Sequence, residues 1–347
     1  MGETLNVAAA LQTPASVVAS ARVKVGRHVP ALPLRIGTRA SPLALVQTRA
    51  FLARVTRFCP VLHGLDVFQE LAIRTEGDRS QASGVRLADV GGKGLFSKEL
   101  HEAMLDGRID MAVHSLKDLE TELPPGIVLA CTLPREDARD VLILGPAADT
   151  SDAAGLPYAS LPQGALIGSS SVRRQAQLLH ARPDLRVAVI RGNVHSRLDK
   201  VRRGDFAASL LAYAGLRRLG LEDEADVLID AETMVPAACQ GIVGITARAS
   251  NTELRRLLAA MSDADANCSA QAERALLGVL DGSCHTPIGA HGVLLPAGRM
   301  RLTGLVARPD GSFLLRRAVE CDRSDAALAG AALGDELRQD SPRDLFS

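Results

Sequence analysis

From Leu34 onward the apolar positions follow two different periods, and the changes of period mark element boundaries. LPLRIGT reads as a short strand, and SPLALVQTRAFLARV as a helix that Ser41 caps and Pro42 opens. LDVFQELAI offers a second strand. TEGDRSQASGVRLADVGG has no apolar period and reads as a mobile loop over about residues 76–92. KGLFSKELHEAMLDG sets Phe96, Leu100 and Met104 at four-residue spacing, one face of a helix that Gly107 ends. IDMAVHS is a strand that runs straight into Leu116, Lys117 and Asp118.

A second block begins near Arg135. ALIGSS, LRVAVIRG and FAASLLAYAG read as strands, with SVRRQAQLLHA and NVHSRLDKVRRG as the helices between them. Such alternation calls for a parallel sheet with right-handed crossovers. MVPAACQGIVGITAR resembles one more buried strand. The last hundred residues change character: NTELRRLLAAM and ADANCSAQAERALLGVL are helical, and GAHGVLL, RMRLTGLVAR and SFLLRRAVE are strands, with a Pro-Asp-Gly turn between the last two. This end predicts an antiparallel sheet with helices, so three domains are expected, the third smaller and of α+β type.

The chain has 347 residues, 47% of them hydrophobic, which supports a fully folded multidomain protein. Lys plus Arg equals Asp plus Glu at 40 each, so no net field recruits nucleic acid and any anion site must be local. Cysteines stand singly at 59, 131, 239, 268, 284 and 321, without the close pairs of zinc or dithiol sites, which fits a reducing compartment. No apolar run reaches the roughly 18 residues that span a bilayer. Residues 1–33 are rich in Ala, Val and Ser, with Arg22, Lys24, Arg27 and one acid, Glu3. They read as an organelle transit peptide or a poorly ordered extension; a secretory signal fits less well, because the basic residues follow the apolar part.

Cations recur beside glycine and serine where strands end. Arg39 and Ser41 follow the first strand, Lys93 lies in GGKG, and Lys117 and Asp118 follow IDMAVHS. Arg173 and Arg174 follow GSSS, Arg191 and Arg197 bracket GNVHS, and Arg217 and Arg218 follow YAG. Ligands of open α/β sheets bind beyond the carboxyl ends of strands, so these clusters converge on one cleft. Arg173 and Arg174 fall in the first turn of a helix, where cations cost about 0.3–1 kcal/mol each unless an anion joins them. That anion is either a ligand or an acid of the protein itself. VGGKGLF lacks the first glycine and the Ser or Thr of a phosphate loop, and no G-x-G-x-x-G follows a strand, so nucleotides are excluded. Forked guanidinium groups suit a ligand with many carboxylates. Asp118 is the odd carboxylate among these cations: either an ion-pair partner, or an acceptor for ligand N–H groups that stabilises positive charge. In DGSCHTPIGAH, Cys284 has too few neighbouring ligands for a metal, and His285, adjacent on an extended chain, points away from it. Burial or covalent attachment remains, and the polar, glycine-bearing surroundings suit an accessible turn.

Together LRIGTRASPLAL, VGGKGLFSKEL, DMAVHSLKDL, REDARD, GSSSVRRQAQL, RPDL, RGNVHSRL, AGLRRLGL, PAACQG, AERA and GSCHTPIG resemble the porphobilinogen deaminase (hydroxymethylbilane synthase) family, from Leu34 to at least Gly311. The resemblance implies two hinged α/β domains like a type II periplasmic binding protein, plus a small α+β C-terminal domain with a three-stranded antiparallel sheet. The domains are expected at 34–133 with 240–259, at 134–239, and at 260–347. It implies a dipyrromethane cofactor joined by a thioether to Cys284. Four porphobilinogen molecules are then added to this primer with loss of ammonia, and hydrolysis releases hydroxymethylbilane. Each pyrrole brings an acetate, a propionate and an N–H, which accounts for both the arginines and Asp118.

By position the resemblance gives Asp118, Arg39, Arg191 and Arg197 catalytic roles. Cys284, Lys117, Ser171, Arg173, Arg174 and Asp118 would hold the cofactor, and Arg35, Ser41, Lys93, Phe96, Arg135, Ser169, Arg218 and Gln240 the substrate. No metal is expected. It further implies a cytoplasmic monomer, or an organelle stroma or matrix form if residues 1–33 direct import, with hand-over of product to uroporphyrinogen-III synthase. Four positions depart from the family's usual residues: Asp89 for lysine, Glu120 for proline, Ala138 for proline and Cys239 for glycine. The competing reading is a two-lobed binding protein that grips a polycarboxylated ligand without chemistry; a cysteine hydrolase is a third.

Overall fold

The computed structural model describes residues 32–79, 94–148, 158–280 and 286–346. The expectations for residues 1–31, Asp89, Lys93, Cys284 and His285, and for most of the loop over 76–92, lie outside them.

Strands β1 (Leu34–Arg39), β2 (Phe68–Ile73), β3 (Met111–Ser115) and β4 (Ile127–Thr132) build the first lobe with helices α1 (Pro42–Phe58), α2 (Glu76–Arg79) and α3 (Lys98–Leu105). The chain then crosses to a second lobe made of β5 (Asp140–Leu144), β6 (Leu166–Gly168), β7 (Arg186–Ala188), β8 (Ala208–Ala212) and β9 (Val227–Ile229), with α4 (Val172–Ala181), α5 (Val194–Arg202) and α6 (Tyr213–Leu219). It crosses back to add β10 (Val243–Arg248) to the first sheet, followed by α7 (Thr252–Met261). The third lobe holds α8 (Ala264–Leu280), β11 (Ile288–Leu295), β12 (Arg299–Ala307), β13 (Leu314–Asp322) and α9 (Ala326–Gln339).

The two larger sheets repeat one plan. Their orders are β2-β1-β3-β10-β4 and β7-β6-β8-β5-β9. In each, four strands run in the same direction, while the strand arriving from the other lobe, β10 or β5, is antiparallel to both neighbours. The parallel sheet expected of the second block therefore holds for four of its strands, with β5 as the exception. A strand that enters directly from a neighbouring lobe has no crossover helix to force it parallel. The repeated order with exchanged strands is the type II two-lobed arrangement, and β11-β12-β13 forms the expected three-stranded antiparallel sheet.

Local chemistry explains most of the elements. Ser41 caps α1 by accepting from the Ala44 amide at 3.3 Å, and Pro42 opens the helix. Ile36, Met111, Val113 and Ile245 bury the first sheet against Phe51 of α1 and Leu254 and Leu258 of α7. Several expectations are corrected. Phe96 lies in the turn before α3, not on its helical face, and residues 76–79 form a helical turn where a loop was expected. FAASLLAYAG divides after Ala212 into β8 and α6, and VPAACQG is a turn that precedes β10. Cys239 has φ 62 there and Gly241 φ 89, conformations that alternating hydrophobicity does not reveal.

That turn locks the lobe crossing. The Gly241 carbonyl accepts from the Glu136 amide at 3.0 Å and from Arg218 Nη2 at 2.6 Å, and the Gln240 carbonyl accepts from Arg135 Nε at 3.0 Å. A Cβ at Gly241 would stand 2.2 Å from the Glu136 carbonyl oxygen, so glycine is required twice over. Among the described residues no helix is long and apolar enough to cross a membrane.

Candidate active site

The carboxyl ends of β1, β3, β6 and β8 all open onto a cavity of about 370 Å³ lined by both large lobes. From the first lobe come Arg39, Ser41, Phe96, Lys117 and Asp118; from the second come Ser171, Arg173, Arg174, Arg191, Arg197 and Arg218; Gln240 comes from the crossing. The structure therefore brings together all of these sequence-predicted residues. Arg35, Arg135 and Ser169 stand outside the lining. Arg35 lies near the start of β1 and forks onto Asp110, with Nη2 to Oδ1 at 3.1 Å. Arg135 is committed to Glu273 of α8 at 2.6 Å, and Ser169 to a local turn in which its hydroxyl accepts from the Ser171 amide. In this structure each of the three therefore makes a structural contact within the protein. Ser169 directly precedes the lining residues Ser170 and Ser171, whereas Arg35 lies at the opposite end of β1 from Arg39.

The anion that Arg173 and Arg174 require at the start of α4 is Asp140. This wholly buried carboxylate accepts from Arg173 Nη2 at 2.8 Å, from Arg174 Nη2 at 2.8 Å and Nε at 3.2 Å, and from Gln240 Nε2 at 2.7 Å. Burial alone would raise its pKa, but the charges of Arg173 and Arg174, with the Arg174 and Gln240 hydrogen bonds, hold it far below the usual carboxylate range. Sequence reasoning did not single out Asp140. The available signal was an acid opening the apolar run DVLIL, a costly position unless the acid is paired.

The other cations are arranged differently. Arg39 forks onto Asp78, with Nη2 to Oδ1 at 2.5 Å, and its guanidinium carbon lies 3.9 Å from the Phe96 ring centroid. Burial opposes ionisation of Asp78, yet its bond to Arg39, with help from Thr75, keeps its pKa lowered. Arg197 donates from Nε to the Gly192 carbonyl and Arg218 from Nη2 to the Gly241 carbonyl, and neither has a carboxylate within ion-pair distance among the described residues. Burial, then the charges of Arg174 and Arg191, push Arg197 down to about 10 against the opposing pull of Asp118. Lys117 donates to Gln240 Oε1 at 3.3 Å. Its side chain faces the open cavity, but desolvation of the ammonium, with Arg174 and Arg173 against Asp118 and Asp140, lowers its pKa to about 8.

Asp118 is the one acid among the described lining residues. It ends the 3-10 turn Leu116–Asp118 that leaves β3, a turn fixed by the Leu116 amide donating to the Ile242 carbonyl at 2.9 Å. It is exposed to the cavity, and its carboxylate makes no hydrogen bond or ion pair among the described residues. The plain ion pair with Lys117 or an arginine is therefore not what the structure holds. A wall of cations with one open carboxylate offers carboxylate recognition and N–H recognition side by side. No group of three or more metal-ligating acids, histidines or cysteines occurs among the described residues.

Two outcomes follow from this electrostatics. Asp140→Asn keeps the shape but strands two buried guanidinium groups, and should lower unfolding stability by about 3–5 kcal/mol in urea titration; a loss under about 1 kcal/mol would contradict the pairing. Lys117 carries its charge below its pKa and sheds it above, so binding of a pyrrole dicarboxylate should weaken as pH rises through about 8. Calorimetric titration of Lys117→Arg should show no such fall, and an equal fall would remove Lys117 as its cause.

The description "Porphobilinogen deaminase, dipyromethane cofactor binding domain" matches residues 34–256, and "Porphobilinogen deaminase, C-terminal domain" matches residues 267–339. The chain is 44% identical over 319 residues to the porphobilinogen deaminase of Paracoccus denitrificans, covering 91% of this chain and 97% of that one. It is 43% identical over 279 residues to a chloroplastic porphobilinogen deaminase of Oryza sativa, covering 80% and 75%. Among solved structures it aligns with an arginine-specific periplasmic binding protein of Salmonella typhimurium at 12% identity and TM-score 0.36, covering 66% of this chain and 90% of that one. With two family domains matched in order over most of its length and relatives at this level of identity, the chain belongs to the porphobilinogen deaminase family, and is a transferase of tetrapyrrole biosynthesis with a dipyrromethane cofactor.

Proposed function

We propose that this chain condenses four porphobilinogen molecules head to tail onto a bound dipyrromethane primer, releases ammonia at each step, and frees hydroxymethylbilane by hydrolysis. The observation that carries this reading is Asp118, an open carboxylate in a lining otherwise rich in arginine. A ligand made of pyrroles presents acetates and propionates outward and N–H groups inward, and so meets both kinds of group. The donor set fits the cofactor: Lys117, Arg197 and Arg218 have no protein carboxylate within ion-pair distance among the described residues, while Arg173 and Arg174, paired with Asp140, line the same cavity.

Bound there, the cofactor supplies the free pyrrole carbon to which the next ring is joined. The protein's residues do the rest. Arg39, Arg191 and Arg197 hold the carboxylates of the incoming ring and orient it. Asp118 accepts its N–H and stabilises the positive charge left on that ring as ammonia departs, a charge-stabilising role that is strongest where water is scarce. Lys117, Ser171, Arg173 and Arg174 hold the primer, with Ser41, Phe96, Arg218 and Gln240 completing the wall. Cys284 is the thioether tether and Lys93 a further substrate contact, both on the family's motifs. The lobes divide at 34–133 with 240–259, 134–239 and 260–347. The protein works as a cytoplasmic monomer that passes its product to uroporphyrinogen-III synthase; import into an organelle is the alternative, since a relative is named chloroplastic and residues 1–33 are basic and acid-poor.

The test is intact-protein mass together with the Ehrlich colour reaction. The purified protein should exceed its sequence mass by two linked pyrrole units and give the colour, and Cys284→Ser should lose both. A mass equal to the sequence would favour the binding-protein alternative, and an unchanged excess in the variant would sink the tether.

A further inference from the structure

Glu120 stands two residues beyond Asp118, and its surroundings join three elements. Both of its carboxylate oxygens lie 2.7 Å from Ser97 Oγ, which is buried in the turn that carries Phe96 and starts α3. Gly94, in the same turn, has φ 90, and a Cβ there would lie 2.1 Å from Glu120 Oε1, so the turn is moulded around the carboxylate. On the other side Arg274 of α8 donates from Nη2 to the Glu120 carbonyl at 2.6 Å and to the Thr121 carbonyl at 2.8 Å. The backbone after Asp118 is thus pinned to the third lobe, and the Glu120 side chain reaches from that pinned point to the Phe96 turn.

We propose that Glu120 is a positioning residue, a strut that sets the Phe96–Arg39 side of the cavity relative to Asp118. Phe96 lies against the Arg39 guanidinium, and both line the cavity with Asp118. Without the strut, the turn of residues 94–97 loses its link to the Asp118 segment while each remains folded on its own lobe contacts. Misplacement of reacting groups by an ångström or less costs rate far more than stability. The same stiffness is available by a different route. Leu119 has φ −93 and ψ 135, the extended conformation that a residue before proline adopts, and the Glu120 amide donates to no acceptor among the described residues. Proline at 120 would fix the backbone after Asp118 covalently, where here a hydrogen bond fixes it through a side chain.

The inference rests on the reading of Asp118 given above, and the experiment separates the two. Wild type, Ser97→Ala, Glu120→Ala, the double variant and Glu120→Pro are compared for intact mass, porphobilinogen consumption and thermal midpoint. All five should carry the same mass excess; a wild type without it would overturn the proposed function, not the strut. Ser97→Ala and Glu120→Ala should each lower kcat by about tenfold with KM nearly unchanged, and the double variant should be no worse than either, as for two ends of one contact. Glu120→Pro should recover most of the rate lost in Glu120→Ala. Losses that multiply in the double variant, a normal rate in Glu120→Ala, or a proline variant as slow as the alanine one would each overturn the strut.

Discussion

The cavity depends on one buried ionic cluster. Asp140 opens β5, a strand that enters the second sheet from the first lobe, and there it pairs with both Arg173 and Arg174 at the start of α4. Two guanidinium groups at a helix N-terminus are unfavourable neighbours for each other and for the helix dipole. The shared carboxylate offsets part of that penalty and anchors both side chains. Gln240 of the lobe crossing donates to the same carboxylate and accepts from Lys117, so cations of both lobes hang from one network. Rigidity of this kind is what a cationic wall needs if its donors are to be in place before the ligand arrives.

Around that cluster the cations divide by how their charge is met. Arg173 and Arg174 share Asp140, and Arg39 is matched by Asp78. Among the described residues Arg197 and Arg218 are anchored through backbone carbonyls alone, which fixes their position without cancelling their charge. Asp118 reverses the sign at one point, and among the described residues its oxygens meet no partner. The third lobe completes the frame from behind: Glu273 of α8, fully buried, accepts from Arg135, the Cys239 amide and the Gly292 amide, and ties the crossing strands to β11.

Much of this was legible in the sequence because the signals are local. Ser41 before Pro42, the serines before Arg173, and Lys117–Asp118 after an apolar strand each combine a turn signal with a charge at a strand end. What escaped is non-local. That β5 and β10 are exchanged between lobes and run antiparallel depends on chain crossings with no periodicity of their own. Arg35 and Arg135 match cleft positions of the family, and their partners here, Asp110 and Glu273, lie 75 and 138 residues away in sequence, beyond any local signal. Cys239 and Gly241 interrupt what reads as one continuous strand, since a positive φ leaves no trace in hydropathy.

The central claim is that an open carboxylate among fixed cations performs the chemistry. It is tested most directly by measuring ammonia release from porphobilinogen by Asp118→Asn beside wild type, with matched circular dichroism and matched affinity for a pyrrole dicarboxylate. The account predicts a fall of at least about a hundredfold in ammonia release with binding retained. A variant that releases ammonia within about threefold of the wild-type rate would contradict it, because so small a loss is under 1 kcal/mol of transition-state stabilisation.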